Sequence, residues 1–312
     1  MQTIDFNDFL SIPWPGRLAS LALAATLLPA IIFYARTAWM AWRDLHPARL
    51  PVDPAAARRL GLSPIDFQAE DGVPLRGWYR APAQPAAVLL VHGHGANRMQ
   101  MLAEAELLAG EGFGVLLFDL RAHGESGGEV ATSGAHEQLD VRAALAALRR
   151  QPGMPGVRIG AIGFSVGGIA LAGAAARDEA VAALVLQAAA PTLAENFDAD
   201  YPKDRPGERW TNRAVHEQTG KFRIADVRPI DHVPRLAKRP LLLVYGERDP
   251  MFSQATRERM LQAAGDGASL WVVPGAGHGH YLEADRAGYV ARVLPFLRRA
   301  LLPEAAATPS TH

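Results

Sequence analysis

A chain of 312 residues can hold one substantial domain with an appendage, and its 49% hydrophobic and 21% charged residues are typical of a globular protein. With 32 basic and 32 acidic residues the formal net charge is zero, so the charge balance predicts no nucleic-acid partner. The absence of cysteine excludes disulfides, thiolate nucleophiles and cysteine-ligated metals, while leaving the compartment open.

An uncharged apolar run lies near the start of the chain, from Leu18 to Ala35. As a helix it would span roughly 27 Å, close to the thickness of the hydrocarbon core of a bilayer. Pro29 lies inside the run, and membrane helices tolerate an internal proline. Aromatic residues that suit a membrane interface flank the run: Trp14, Tyr34, Trp39 and Trp42. The sequence therefore predicts an N-terminal segment, residues 1–43, with a membrane anchor helix at about 18–35.

Two other interpretations of the run remain. A cleavable signal peptide needs a basic segment at its start, yet the first 16 residues contain Asp5 and Asp8 and no Lys or Arg. A buried helix, or an amphipathic helix on the surface, is the second alternative. As a membrane span, the run is preceded by Arg17 and followed closely by Arg36, Arg43 and Arg49. This bias predicts a single-pass protein whose remaining chain lies in the cytoplasm.

Residues 44–63 are rich in Pro, Ala and Arg, a composition typical of a linker. A chain shortened to begin near Pro51 is then expected to be soluble, folded and active. At the other end, residues 303–312 are predicted to form a disordered tail.

Short apolar strands alternate with helical segments between residues 64 and 302. Asp71-Gly72 is a hairpin signal between the first two strands. The predicted strands are Ile65–Glu70, Leu75–Ala81, Ala87–Val91, Val115–Asp119, Val157–Phe164, Ala182–Gln187, Leu241–Tyr245 and Ser269–Val273. The predicted helices lie near Met99–Gly110, Glu137–Arg150, Val166–Ala176 and Arg286–Leu301. This alternation predicts an α/β fold with a mostly parallel central sheet flanked by helices. Polar residues 191–239 interrupt it and are interpreted as a small cap insertion.

The pentapeptide Gly163-Phe164-Ser165-Val166-Gly167 matches G-x-S-x-G, directly after a predicted strand and directly before a predicted helix. A sharp strand-to-helix turn needs small residues two places on either side of the serine. The turn lifts the hydroxyl clear of the sheet, and the helix N-terminus favours developing negative charge there. We therefore predict that Ser165 is a nucleophile; an ordinary serine in a glycine-rich turn is the alternative.

A serine nucleophile needs a base, and the base needs an orienting acid. In the strand-turn-helix arrangement the acid and then the histidine follow the serine along the chain. Asp249 follows the strand Leu241–Tyr245, with Glu247 as the competing carboxylate. His278 follows the strand Ser269–Val273 between two glycines that would let the imidazole approach closely, with His280 as the alternative. The predicted catalytic residues are Ser165, Asp249 and His278.

Backbone N–H groups must stabilise the oxyanion that forms on the attacked carbonyl. We expect one donor at Val166 and the other at His94, in the loop His92-Gly93-His94-Gly95. The side chain of His92 is interpreted as structural.

No cofactor is predicted, because no G-x-G-x-x-G follows a strand. A metal site formed by His92, His94, His278 and His280 is an alternative, but these residues lack the spacing of metal ligands on one helix. The sequence therefore predicts no metal.

From about Ile65 to Leu302 the chain resembles the α/β-hydrolase superfamily. The resemblance lies in the His92–Gly95 loop, the Asp119–Ser126 segment, the G-x-S-x-G turn, and the Asp249 and His278 loops. The chain is most similar to the serine-aminopeptidase-like and monoacylglycerol-lipase-like group, and it also resembles members with one N-terminal hydrophobic helix. Ala122 stands where that group often has glycine. The resemblance implies the α/β-hydrolase fold and a Ser-His-Asp triad, but no particular substrate.

Together these features predict a membrane-anchored serine hydrolase that acts on a small-molecule carboxylic ester, with lipid-derived acyl esters as candidates. A peptidase or thioesterase using the same triad is one alternative. The other is a non-catalytic, membrane-tethered binding protein on a hydrolase scaffold, against which the ordered set of three residues argues.

Overall fold

The computed structural model describes residues 13–200 and 205–302, so the predicted tail lies outside the described residues. Within the described residues, eight strands form one sheet in the order β1-β2-β4-β3-β5-β6-β7-β8. Their bounds are β1 Ser63–Gln68, β2 Pro74–Arg80, β3 Ala86–Val91, β4 Gly114–Phe118, β5 Arg158–Phe164, β6 Val181–Gln187, β7 Leu241–Gly246 and β8 Ala268–Val273. Each lies within two residues of a predicted strand at its start and its end.

Strand direction follows from the connections. β1 and β2 form the predicted antiparallel hairpin, in which Gly72 takes the left-handed backbone conformation with φ of 88°. β2 also runs antiparallel to β4, whereas every pairing from β4 to β8 is parallel. The central strands are apolar along their whole length because helices cover both faces of the sheet. The predicted α/β fold with a mostly parallel sheet is confirmed.

The helices that link the strands are α3 Leu102–Gly110, α4 Glu137–Arg149, α5 Val166–Ala175, α9 Gln254–Ala264, the short α10 Tyr281–Ala284 and α11 Arg286–Leu301. Every residue of α5 is buried, which explains its uniformly apolar sequence. The sequence analysis placed no helix between the last two strands, where α9 lies. Only Arg257, Met260 and Ala264 of α9 are buried, so the apolar periodicity of this helix is weak. The helix is needed because β7 and β8 are parallel, and parallel neighbours require a crossover connection.

The predicted cap insertion, residues 191–239, lies between β6 and β7. Its described residues, 191–200 and 205–239, contain three α-helices that the sequence analysis did not assign: α6 Leu193–Asp200, α7 Pro206–Gly220 and α8 Pro229–Leu236. Proline at the start of α7 and α8 suits the first turn of a helix, where its missing N–H would have no intrahelical acceptor.

The apolar N-terminal run belongs to a helix, α1, that extends from Trp14 to Leu45, well beyond the predicted 18–35. Among the residues that the structure describes, α1 alone is long and apolar enough to cross a membrane. None of its apolar window is buried, so the alternative of a buried core helix is wrong. α1 packs against α7 of the cap.

Residues 44–63, interpreted as a linker, are attached to the domain at several points. Ala131 donates its N–H to the carbonyl oxygen of Leu45 at 2.8 Å, and the guanidinium of Arg49 donates to the carbonyl of Gly128 at 2.7 Å. The amide of Asn97 donates to the carbonyls of Leu50 and Pro51. The segment also contains a short helix, α2 Pro54–Arg59, whose Ala56 and Ala57 are buried. The expectation that a chain beginning near Pro51 is soluble, folded and active stays a prediction, and such a chain would lack the contacts made by Leu45, Arg49 and Leu50.

Candidate active site

The candidate residues lie at the carboxyl ends of the parallel strands, beside the point where the strand order reverses. The chain passes from β3 to β4 on one side and then places β5 on the other side of β3. Such a switch point opens a crevice between the loops that leave the two strands. Here those loops begin at His92, after β3, and at Ser165, after β5.

Ser165 occupies a sharp turn between β5 and α5, with φ of 51° and ψ of −117°. Residues other than glycine rarely adopt this backbone conformation, because it costs on the order of 1–3 kcal/mol. Where it persists, it is typical of a functional site. A Cβ at Gly163 would lie 2.6 Å from the carbonyl oxygen of Gly167, and one at Gly167 would clash with the carbonyl oxygens of Val91 and His92. The small residues of the motif are thus required by close backbone packing.

A continuous hydrogen-bond chain connects Ser165 to two residues from other loops. Nε2 of His278 lies 3.1 Å from Oγ of Ser165, and Nδ1 of the same ring lies 2.8 Å from Oδ2 of Asp249. The Asp249 carboxylate is fully buried, and its other oxygen accepts the N–H of Met251 at 2.9 Å. The structure thus brings together the serine, the histidine and the carboxylate that the sequence analysis selected.

The two competing residues lie elsewhere. Glu247 accepts the N–H of Gly275 at 2.8 Å, so its carboxylate connects the acid loop to the histidine loop and does not contact the imidazole. His280 has φ of 55°, and its side chain is 77% exposed. Of the two glycines beside His278, only Gly279 is sterically required, because a Cβ there would lie 2.8 Å from the ring of Phe164.

The loop after β3 is oriented by hydrogen bonds on both sides of His94. Gly93 donates its N–H to the side-chain oxygen of Gln100 at 2.8 Å, and Gly95 donates its N–H to Nε2 of His123 at 3.0 Å. Val166 is the first residue of α5, so its N–H has no acceptor within the helix. His94 and Val166, the predicted oxyanion donors, both line the cavity that contains Ser165.

Two buried histidines hold the loops after β3 and β4 together. His92 accepts the N–H of Leu120 through Nε2 at 3.0 Å, while Nδ1 of His123 lies 2.7 Å from the carbonyl oxygen of Arg121. Burial lowers the pKa of His92 to about 4 and that of His123 to about 3, so both rings are neutral near pH 7. His92 is therefore structural, as predicted. The sequence analysis gave His123 no role, although its place in the Asp119–Ser126 segment was a signal.

The cavity around Ser165 has a volume of about 560 Å³, within the range of small-molecule sites. Besides Ser165 and His278, it is lined by side chains from the cap and from α1 as well as from the strand loops. These are Met40, Asp44, His94, Gln100, Ser133, Phe164, Val166, Asn196, Phe197, His216 and Met251. A second cavity of about 330 Å³, between α5 and the cap, contains none of the three hydrogen-bonded residues.

Comparison with known proteins identifies the family of the chain. Residues 88–292 match the sequence model of the alpha/beta hydrolase family. The chain belongs to this family. It is also similar to an uncharacterised protein of Mycobacterium tuberculosis, with 28% identity over 273 residues that cover 84% of this chain and 88% of the relative.

Two solved structures resemble this hydrolase. An esterase of Pyrococcus furiosus superposes with a TM-score of 0.69 and 25% identity, covering 82% of this chain and 99% of the esterase. A membrane phospholipase A, described as a bacterial virulence factor, superposes with a TM-score of 0.58 and 19% identity, covering 91% of this chain and 96% of the phospholipase. The second likeness shows the fold alone.

The segment Asp119–Ser126 of this hydrolase forms a tight, buried loop. The carboxylate of Asp119 accepts hydrogen bonds from the backbone N–H groups of Arg98 and Glu125, each at 2.8 Å. The backbone carbonyl of Asp119 accepts a hydrogen bond from the hydroxyl of Ser126. Ala122, where the resemblance noted above implies glycine, has φ of 60°. This left-handed conformation favours glycine, so the alanine is strained.

The four histidines of the alternative metal hypothesis do not converge in the hydrolase. Nε2 of His92 accepts a hydrogen bond from the N–H of Leu120, and His278 is hydrogen-bonded to Ser165 and Asp249. The side chain of His280 is exposed. Within residues 13–200 and 205–302, no group of three or more metal-ligating side chains could hold a metal ion.

Proposed function

We propose that the protein is a serine esterase that hydrolyses carboxylic esters through an acyl-enzyme, with Ser165 as nucleophile, His278 as general base and Asp249 as orienting acid. The observation that carries this proposal is the continuous Ser165–His278–Asp249 hydrogen-bond chain at a strained strand-to-helix turn. Similarity to an esterase agrees with it.

The geometry supports a two-step acyl transfer. Oγ of Ser165 attacks the ester carbonyl while Nε2 of His278 accepts the hydroxyl proton, and the imidazolium then protonates the departing alcohol. Water subsequently attacks the acyl-enzyme, with His278 again accepting a proton and returning it to Ser165. The buried Asp249 carboxylate holds Nδ1–H and stabilises the imidazolium. The N–H groups of His94 and Val166 bind the oxyanion in both steps.

Lipid-derived acyl esters are the proposed substrate class, with α1 as a single-pass membrane anchor and the catalytic domain in the cytoplasm. Met40, Phe164, Phe197 and Met251 provide apolar lining for an acyl chain. The continuation of α1 past its apolar run into contact with the cap supports a retained anchor over a removable signal sequence.

A fluorophosphonate probe tests the chemistry directly, because it labels an activated serine irrespective of substrate preference. We expect the full-length protein in detergent to be labelled, and Ser165→Ala to abolish both labelling and hydrolysis of p-nitrophenyl esters. An unlabelled wild-type protein that still binds lipid would favour the non-catalytic alternative. Separately, the full-length protein should stay with membranes after a carbonate wash; its complete release would contradict the anchor.

A further inference from the structure

The last turns of α1 line the cavity that contains Ser165. The uncharged run ends at Ala35, but the helix continues to Leu45. Met40 and Asp44, one helical turn apart, line the same cavity as Ser165 and His278. The helix that the sequence presents as a tether therefore supplies one wall of the site.

Packing on a neighbouring face keeps this wall in place. Thr37, Ala41 and Leu45 recur every four residues and are all buried, with exposed fractions of 2% or less. Towards the apolar run, a Cβ at Gly207, at the start of α7, would lie 3.5 Å from the ring of Phe33. At the other end, the carbonyl of Leu45 accepts the N–H of Ala131. Met40 thus lies in the part of the helix, from Phe33 to Leu45, that contacts both the cap and the domain.

The cap supplies the facing side chains of the cavity. Phe197 of α6 and His216 of α7 both line it, and their rings are in edge-to-face contact at 4.7 Å. Asp44 of α1 and His216 of α7 line the same cavity, and the two helices pack against each other. A bound ester must therefore fit between α1 and the cap.

We infer that Met40 contacts the acyl chain of the bound ester, so that the end of the anchor helix helps to determine which chain lengths reach Ser165. This inference rests on the proposed esterase function. The unbranched, polarisable side chain of methionine suits a wall that accommodates flexible acyl chains. Its size at this position sets the room left for the chain.

Full-length Met40→Trp and Met40→Ala test the inference with p-nitrophenyl acetate, butyrate, octanoate and laurate, assayed in detergent micelles to remove the effect of membrane attachment. A hydrophobic pocket discriminates by roughly tenfold or more per methylene that no longer fits. Met40→Trp should therefore lower kcat/KM for octanoate and laurate at least about tenfold relative to acetate. Met40→Ala should shift the preference towards longer chains.

The adjacent Trp39 provides a matched control because it is 55% exposed and does not line the cavity. Trp39→Ala removes a larger side chain from the same helix and should leave the acetate-to-laurate ratio unchanged. Equal losses on all four esters in the Met40 variants, or the same change of ratio in Trp39→Ala, would overturn the inference while leaving the esterase proposal intact. Failure of the fluorophosphonate to label the wild-type protein would instead overturn both.

Discussion

Replacing Asp249 by asparagine, with Glu247→Gln as its matched control, tests which carboxylate serves the imidazole. Asp249 is buried and lies 2.8 Å from Nδ1 of His278. Asparagine keeps the size of the side chain but removes the charge, and its amide can donate a hydrogen bond to Nδ1, which favours the wrong tautomer. His278 would then present Nε2–H to Ser165 and could no longer accept the hydroxyl proton.

The expected cost is a fall in kcat on the order of 10⁴-fold, as for this change in the trypsin-type triad. A 10⁴-fold fall corresponds to about 5 kcal/mol of transition-state stabilisation. Ser165→Ala should cost more, because it removes the nucleophile itself. Glu247→Gln retains an oxygen that can accept the N–H of Gly275, so we expect a change in kcat of less than about tenfold.

The assay is steady-state hydrolysis of p-nitrophenyl butyrate, together with the rate of fluorophosphonate labelling and a thermal melt for each variant. The melt separates loss of chemistry from loss of fold. If Glu247→Gln reduces kcat more than Asp249→Asn while both variants remain folded, the assignment of the acid is wrong.

Three further changes have defined outcomes. Burial raises the pKa of Glu104 to about 7 from 4.5, so its protonated form stabilises the fold at acid pH and this contribution is lost as the pH rises through 7. Glu104→Gln should therefore gain stability relative to wild type between pH 5 and pH 8, by about 2 kcal/mol in urea titrations; a constant difference would refute this. Ala122→Gly should raise the free energy of unfolding by about 0.5–1 kcal/mol, because it relieves the left-handed strain at a cost in unfolded-state entropy; a lower melting temperature would count against it. Gly167→Ala should abolish phosphonate labelling through the backbone clash behind Ser165, and normal labelling would disprove the need for glycine.

Local patterns determined much of the site. The serine turn is a property of a few consecutive residues, since an apolar strand, two glycines and a helix start must coincide around Ser165. The order of the later loops follows from the parallel strands that precede them. The choice between the two carboxylates does not follow from the strand order, because Asp249 and Glu247 belong to the same loop but contact different residues. Both contacted residues, His278 and Gly275, lie in the loop after β8.

The sequence by itself also determined the apolar run at 18–35, because hydropathy is a local property. It did not reveal that the helix continues to Leu45, that residues 44–51 are held against the domain, or that Met40 enters the cavity of Ser165. These features depend on partners such as Asn97 and Ala131, which lie dozens of residues away in the chain. Only the folded sheet brings such partners within hydrogen-bond distance, so tertiary structure alone decides that the predicted anchor is also part of the candidate active site.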